Sequence, residues 1–231
     1  MNPDASPFWR TRFWQQWVVA NAVGEFVGLG AVAALGFMAF KHAGEPANTI
    51  QALTFAATFV LLGAFEGAVV GVAQRAVLVR RLPALRGWIR ATVAGAMAAW
   101  AIGMVPSTIV SLAHGPDTPA QAEPPLAMVL LLAAGLGAVA GPLLAAFQWH
   151  SLRKVVTRRA WLWLPANAAA WALGMPIIFL GAQSNELTSA PAVIVAVMAL
   201  TLLAAGAVVG AVHGWFLLHM VFPSCAGENT A

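Results

Sequence analysis

Two glutamates stand inside long apolar stretches of this sequence, where an acidic side chain is unusual. Glu25 lies in a stretch from about residue 15 to about residue 40, and Glu66 lies in the next, from about 52 to about 79. If the chain turns near residue 46, the two glutamates face each other at equal depth. One charged carboxylate at the centre of a bilayer costs about 2.5 to 3.5 kcal/mol. We therefore expect the pair to be protonated, to share a proton, or to be compensated by a cation.

Tryptophan and asparagine side chains recur near the level of these glutamates. An alignment of the odd-numbered apolar stretches places Trp100 and Trp171 at positions equivalent to Glu25. Indole faces attract cations when water is excluded. The candidate coupling and binding residues are therefore Glu25, Glu66, Asn21, Trp100 and Trp171. Two interpretations stay open: a proton- or cation-coupled binding site, or neutral glutamates hydrogen-bonded to each other or to Asn21 while the tryptophans fill space.

The elements that must position these side chains are membrane-spanning helices. The chain has 231 residues, of which 61% are hydrophobic and 9% are charged, whereas soluble domains are about 45 to 50% apolar and about 25% charged. Its six apolar stretches lie at about 15–40, 52–79, 88–112, 126–152, 161–182 and 191–221. Each can cross a hydrocarbon core of about 30 Å as a helix. The predicted fold class is all-α, a polytopic membrane bundle of six transmembrane helices in a single integral membrane domain, 1–231.

The basic residues lie almost entirely on one side of the predicted membrane. Of the twelve Lys and Arg residues, Lys41 alone falls in a connection on the other side. By the positive-inside rule, both termini face the cytoplasm, with 1–14 as an interfacial N-terminus and 222–231 as a tail. The localisation predicted is the bacterial cytoplasmic (inner) membrane. We interpret the basic residues as a topology signal with anionic-lipid contact, and we expect no nucleic-acid partner.

The even-numbered stretches share an internal repeat. Glycines recur every four residues and are followed by one polar residue, a pattern that lets another helix approach closely in lipid. The packing glycines are Gly63, Gly67 and Gly71, then Gly137 and Gly141, then Gly206 and Gly210, and the polar repeat positions are Gln74, Gln148 and His213. A weaker repeat in the odd-numbered stretches predicts three similar helical hairpins, about 15–79, 88–152 and 161–221. Whether the hairpins close around an axis or lie side by side stays open.

The polar repeat positions are interpreted mainly as packing residues. Gln74 and Gln148 fall within about two turns of the basic side, where water or another helix can satisfy their amides. His213 is expected to form a hydrogen bond rather than to ligate a haem or chlorin, because no histidine is placed at the same depth in another span. His213 and His219 are six residues apart and cannot form an HxxxH metal-binding face. No metal site and no cofactor are predicted.

Two of the repeated segments carry a family resemblance. They read GAVVGVAQRAVLVRR at Gly67–Arg81 and AVAGPLLAAFQWHSLRK at Ala138–Lys154. They resemble the repeated GxxxGxxQxxxLR helices of a broad group of uncharacterised bacterial multi-pass membrane proteins, and the resemblance covers most of the chain after Leu61. It implies a fold and no activity. The third copy departs from the pattern because it carries His213 in place of glutamine and lacks the basic end.

No enzyme signature is found in the sequence. It contains no GxSxG, no HExxH and no phosphate-binding glycine loop, and its single cysteine, Cys225, excludes an intramolecular disulfide. We therefore predict no enzyme. The first functional hypothesis is a proton- or cation-coupled small-solute transporter or permease subunit that uses Glu25 and Glu66. The alternative is a non-catalytic structural or accessory subunit of a larger membrane complex, which binds protein, lipid or pigment through its glycine stripes.

The expected partners follow from these two hypotheses. Both require the lipid bilayer. The transporter hypothesis adds a small cation or a proton, and the subunit hypothesis adds a membrane-protein partner or a second copy of the chain.

Overall fold

The computed structural model describes residues 7–44, 46, 48–113, 124–183 and 190–222. The described residues form six long α-helices and no strand. Their bounds are Pro7–Ala43 (α1), Thr49–Leu78 (α2), Trp88–Ala113 (α3), Leu126–Leu152 (α4), Trp163–Ala182 (α5) and Pro191–Val221 (α6), with a short 3₁₀ turn at Ala160–Leu162 before α5. All six are long and apolar enough to cross a membrane. The prediction of an all-α, six-helix membrane bundle is confirmed.

The first helix begins earlier than the sequence suggested. The segment around Phe13 and Trp14, which was expected to be an interfacial anchor, forms the first turns of α1. The Phe13 side chain is buried, and the Trp14 indole N–H donates to the Ala211 carbonyl of α6 at 3.1 Å. This segment therefore packs against another helix. Residues 1–6 of the predicted N-terminal segment 1–14, and residues 223–231 of the predicted tail 222–231, which include Cys225, lie outside the described residues.

The six helices close into a ring. Each helix contacts the next along the chain, and α6 returns to pack along α1. The closest pairs join successive hairpins, because the glycine face of each even-numbered helix lies on the following odd-numbered helix: α2 on α3, α4 on α5 and α6 on α1. The ring therefore has threefold pseudosymmetry. This arrangement answers the question that the repeats left open, since the hairpins close around a central axis.

The glycines are required at these contacts because the helix backbones touch. A Cβ on Gly206 of α6 would lie 2.7 Å from the Asn21 carbonyl oxygen of α1, and a Cβ on Gly67 of α2 would lie 2.9 Å from the Cα of Val93 in α3. A Cβ on Gly141 of α4 would overlap the Asn167 carbonyl oxygen of α5, which is the position that corresponds to Asn21 in α1. A side chain at any of the three would force two helices apart. Close backbone approach of this kind is the usual way in which helices associate in lipid.

One end of the bundle contains most of the buried core. We call it the basic end, because it carries connections 79–87 and 153–162 with seven arginines and lysines. Its core consists of Phe13, Trp17, Val77, Leu78, Leu85, Trp88, Ala145, Leu152, Val156, Ala160, Trp163, Leu217, Met220 and Phe222. The other end, which we call the opposite end, is packed much less. Neither 101–112 of α3 nor 191–201 of α6 contains a buried residue.

Candidate binding site inside the helix ring

Three tryptophans close the ring near the basic end. They are Trp17 of α1, Trp88 of α3 and Trp163 of α5, and none is more than 1% exposed. The ring centroids of Trp17 and Trp163 are 6.2 Å apart, and those of Trp88 and Trp163 are 5.9 Å apart. At these separations aromatic rings attract each other as well as filling space. We call these three residues the tryptophan layer.

Each indole of the tryptophan layer donates a hydrogen bond to a polar repeat residue on the preceding even-numbered helix. The bonds are Trp88 to Gln74 at 3.1 Å, Trp163 to Gln148 at 2.9 Å and Trp17 to His213 at 3.0 Å. His213 accepts through Nδ1, so in the neutral ring its Nε2 carries the proton. The histidine that departs from the sequence repeat therefore keeps the hydrogen bond that the two glutamines make.

The two glutamines also form hydrogen bonds with the odd-numbered helix that precedes each of them in the chain. Gln74 Nε2 donates to Asn21 Oδ1 at 2.9 Å, and Gln148 Nε2 donates to Thr92 Oγ1 at 3.0 Å. Asn21, Thr92 and Asn167 each donate to the carbonyl of the layer tryptophan one turn earlier. All five side chains are buried. The chain itself therefore satisfies these amides, and water at the basic end is not needed for it.

The two candidate carboxyls meet inside the ring, about 12 Å beyond the tryptophan layer by helix rise. Gly28 permits this approach, since a Cβ there would lie 3.2 Å from the Glu66 Cα. Both carboxyls face one small cavity of about 10 Å³, which also touches Asn21 and His213. A cavity of that size holds at most a single water molecule. It connects the carboxyl pair with the polar residues beside the tryptophan layer.

The hydrogen bonding of the two carboxyls is incomplete. Trp100 Nε1 donates to Glu66 Oε2 at 2.6 Å. Glu25 is 3% exposed, and its Oε2 atom has no hydrogen-bond partner. Within the described part of the chain, neither carboxyl forms an ion pair with a basic side chain. The pair is thus rich in acceptors and poor in donors, which leaves it able to take up a proton or a cation.

A larger cavity adjoins Glu66 and extends toward the opposite end. Its volume is about 260 Å³, and helices α1 to α5 contribute to its wall. Glu66 is the one ionisable residue among the described residues that line it, and Trp100 and Trp171 supply its two indoles. The rest of the wall consists of apolar side chains and glycine. We call it the central cavity.

The candidate residues from the sequence are only partly brought together. Glu25, Glu66 and Trp100 form one cluster, and Trp171 lies across the central cavity from Trp100 on another helix. Asn21 is not a hydrogen-bond partner of either glutamate, because its side chain is engaged by Gln74 and by the Trp17 carbonyl. Of the two partners that the sequence leaves open for neutral glutamates, each other or Asn21, the second is occupied by other hydrogen bonds.

The sequence alignment of the third helix was displaced by one turn. Gly206 packs on Glu25 and Gly67 packs on Ala96, so Ala96 occupies the position in α3 that Glu25 occupies in α1. Trp100 lies one turn further and binds the glutamate of α2 instead. Trp171 keeps the predicted equivalence, because Gly141 packs on it in the same way.

The sequence interpretation also missed Trp88 and Trp163 as functional positions. A signal for them exists. Each follows a polar repeat glutamine by 14 or 15 residues and precedes a threonine or asparagine by four. The same tryptophan-to-asparagine spacing occurs at Trp17. The alignment from the sequence placed Gly103 level with Gly28 and Gly174, although Gly103 lies one turn further from its layer tryptophan than those two glycines do.

The glycine stripes do not provide a surface for a partner. All seven predicted packing glycines face the next helix of the same chain: Gly63, Gly67 and Gly71 face α3, Gly137 and Gly141 face α5, and Gly206 and Gly210 face α1. A protein, lipid or pigment cannot occupy those positions while the ring is intact. The alternative function therefore loses the contact surface on which it was based.

Neither metal chemistry nor known proteins assign a role to this site. Among the described residues, no group of three His, Cys, Asp or Glu side chains could hold a metal ion. No family model, no curated protein and no solved structure matches the chain. Since a fold alone does not imply a function, the function must be inferred from the chemistry of the site.

Proposed function

We propose that this protein is a proton- or cation-coupled transporter of a small solute, and not an enzyme, with Glu25 and Glu66 as its coupling site. One observation carries the proposal. Two buried carboxyls lie side by side without a basic partner among the described residues, and one of them opens onto an interior cavity. Ionisable side chains within membrane spans most often mark ion or proton pathways.

The energetics of the pair favour exchange of a proton for a cation. One ionised carboxylate near the bilayer centre costs about 2.5 to 3.5 kcal/mol, and a second beside it adds repulsion. When the central cavity is empty, the pair is stabilised by holding protons. When a cation enters beside Glu66, one carboxylate can ionise at much lower cost, and a proton is released. Two ligands that compete for one charged site are coupled in this way.

The two ends of the bundle fit this proposal. In transporters built from repeats, the binding site lies near the midplane at the repeat interface and is closed toward one side at a time. Here the tryptophan layer closes the ring toward the basic end, while the central cavity extends the other way. By the positive-inside rule the basic end faces the cytoplasm, so this form of the protein is closed toward the cytoplasm.

The test is a current measurement on purified protein in liposomes adsorbed to a solid-supported membrane. Jumps in proton, Na⁺, K⁺, ammonium and small organic ammonium concentration are applied in turn. We expect at least one cation to give a transient current that depends on pH. Glu25→Gln and Glu66→Gln should abolish it without preventing membrane insertion, because each removes a charge and keeps the side-chain shape.

The matched control is Glu186→Gln, which makes the same chemical change in the connection between α5 and α6. It should leave the currents unchanged. Absence of current with every cation in the wild-type protein would contradict the proposal, as would wild-type currents in both membrane-embedded Gln variants.

A further inference from the structure

We infer that the central cavity binds a small organic monocation with apolar substituents, such as a quaternary ammonium ion, held between the Glu66 carboxylate and the indoles of Trp100 and Trp171. This inference names the substrate class of the proposed transport site. It rests on the proposed function only for the claim that the bound cation moves across the membrane.

The size of the cavity matches an organic group rather than a bare ion. Its volume is about 260 Å³. An apolar protein cavity of about 150 Å³ is sufficient to bind benzene. The central cavity therefore has room for an aromatic ring together with a small charged group.

The wall of the cavity disfavours a strongly hydrated metal ion. Hard metal cations prefer shells of several oxygen ligands. The only side-chain oxygens among the described residues that line the cavity belong to Glu66, and Met104, Leu136 and Ile178 are typical of the rest. A cation that carries methyl or benzyl groups spreads its charge and buries apolar surface against such a wall.

Trp100 is held in place before any cation arrives. Its ring stacks on Phe59 with centroids 5.7 Å apart and planes inclined by 23°, and its indole N–H donates to Glu66. Gly63 provides the space for the ring, since a Cβ there would overlap it. A preorganised aromatic wall and carboxylate lose little conformational entropy on binding.

Trp171 is fixed from the other side of the cavity. A Cβ at Gly137 would overlap its backbone carbonyl, so α4 holds this part of α5 closely. Trp171 lines the same cavity as Trp100 although the two residues lie on different helices. Indole faces beside a carboxylate form the arrangement that recognises quaternary ammonium groups.

The charge of the site favours a monovalent cation. A carboxyl pair that keeps one proton carries a single negative charge. Glu25, whose Oε2 atom has no hydrogen-bond partner in the described part of the chain, can keep that proton while the Glu66 carboxylate pairs with the cation. The occupied site is then electrically neutral, which low-dielectric surroundings require.

The experiment measures binding of radiolabelled benzyltrimethylammonium to the full-length protein in nanodiscs of zwitterionic lipid. The competitor is 2,2-dimethylpropylbenzene, which has the same shape with carbon in place of the charged nitrogen. We expect saturable binding of one cation per protein, and at least tenfold weaker competition by the neutral isostere.

Variants test the named residues. Glu66→Gln should weaken binding at least tenfold, and Trp171→Leu should weaken it several-fold because one indole face is lost. Trp215→Leu is the matched control, since Trp215 is 55% exposed and does not line the cavity. Its affinity should equal that of the wild type.

Three results would each overturn the inference: equal competition by the neutral isostere, unchanged affinity in Glu66→Gln, or no saturable binding up to about 10 mM. The isostere comparison uses the wild-type protein, so it decides the matter even if a variant fails to fold. Binding that depends on Glu66 without any coupled current would leave this inference standing and defeat the proposed function. Coupled currents with inorganic cations, without binding of the organic cation, would overturn this inference and leave the proposed function standing.

Discussion

The tryptophan layer at the basic end and the carboxyl pair near the middle of the bundle are built on the same repeated helices, yet their polar side chains are hydrogen-bonded to different degrees. At the basic end, each buried indole donor meets an acceptor on the preceding helix, and the glutamine amides bind further side chains. Around the carboxyl pair, acceptors outnumber donors, and one glutamate oxygen has no hydrogen-bond partner among the residues that the structure describes. Satisfied polar networks rigidify a structure, whereas unsatisfied ones usually mark a site with another role.

The threefold pseudosymmetry is also kept to different degrees at the tryptophan layer and at the carboxyl pair. Near the tryptophan layer, all three repeats keep a tryptophan and its acceptor. About two turns further, the position of Glu25 is occupied by Ala96 and Trp171 in the other repeats, and the position of Glu66 by Ala140 and Ala205. The repeat is thus preserved where the ring is closed and broken where the cavity begins. Departure from the repeat indicates which residues serve a purpose other than packing.

The largest effect on stability is expected from Gly141→Ala. The new methyl group would overlap the α5 backbone at Asn167, which cannot move without separating two helices. We expect a loss of about 3 kcal/mol in the free energy of unfolding, measured by titration with SDS in mixed micelles. Gly135→Ala is the control on the same helix, since no described atom beyond the adjoining backbone of α4 lies within 4 Å of its Cβ position. It should be neutral or stabilising by about 0.5 kcal/mol. Equal losses in the two variants would show that the glycine contact is not required.

Trp163→Phe is expected to have the next largest effect. It removes the donor to Gln148 Oε1 and leaves a void inside the tryptophan layer. An unsatisfied buried acceptor together with lost packing should cost about 2 kcal/mol. Trp161→Phe, two residues earlier and 61% exposed, should change the same quantity by less than about 0.5 kcal/mol. If both variants melt at the wild-type temperature, the tryptophan layer is not the stable part of the bundle.

Glu25→Gln should give the opposite pattern: little change in stability and loss of function. The amide has the shape of the carboxyl and carries no charge that must be kept from the lipid. We expect the free energy of unfolding to stay within about 1 kcal/mol of the wild type, while the coupled currents disappear. A large loss of stability with currents preserved would instead show that Glu25 supports the structure and is not needed for transport.

The smallest effect is expected from His213→Gln. This change restores the residue of the other two repeats, and the amide oxygen can accept the Trp17 indole N–H. We expect a change of less than about 0.5 kcal/mol, compared with a loss of about 1 to 3 kcal/mol for His213→Leu, which leaves the indole unsatisfied. Thermal unfolding of the two variants side by side checks this. A strongly destabilised Gln variant would mean that the histidine has a role beyond accepting this bond.

The sequence predicts the six helices well because helix formation in lipid is a local property. A stretch of apolar residues has no alternative there, and the bounds of α4 and α6 agree with the apolar stretches to within a residue or so. The start of α1 at Pro7 was not predicted because the Trp14 side chain forms its hydrogen bond with α6, at the far end of the chain. Local composition carries no information about a partner almost 200 residues away.

The candidate site was only partly predictable for a related reason. The equal depth of Glu25 and Glu66 follows from one turn and constant helix rise, so arithmetic on a single hairpin brings them together. The hydrogen bond from Trp100 to Glu66 depends on how α3 rotates and slides on the glycines of α2. A shift of one turn, which the sequence alignment made, is enough to assign the indole to the wrong glutamate.

Infrared difference spectroscopy at fixed pH, on the protein in nanodiscs with and without benzyltrimethylammonium, tests most directly whether the carboxyl pair exchanges a proton for a cation. Glu25→Gln and Glu66→Gln serve to assign the carboxyl bands. We expect the cation to remove the C=O band of a protonated carboxyl, to create carboxylate bands in its place, and to do neither in Glu66→Gln. Carboxyl bands that stay unchanged while the cation binds would contradict the account.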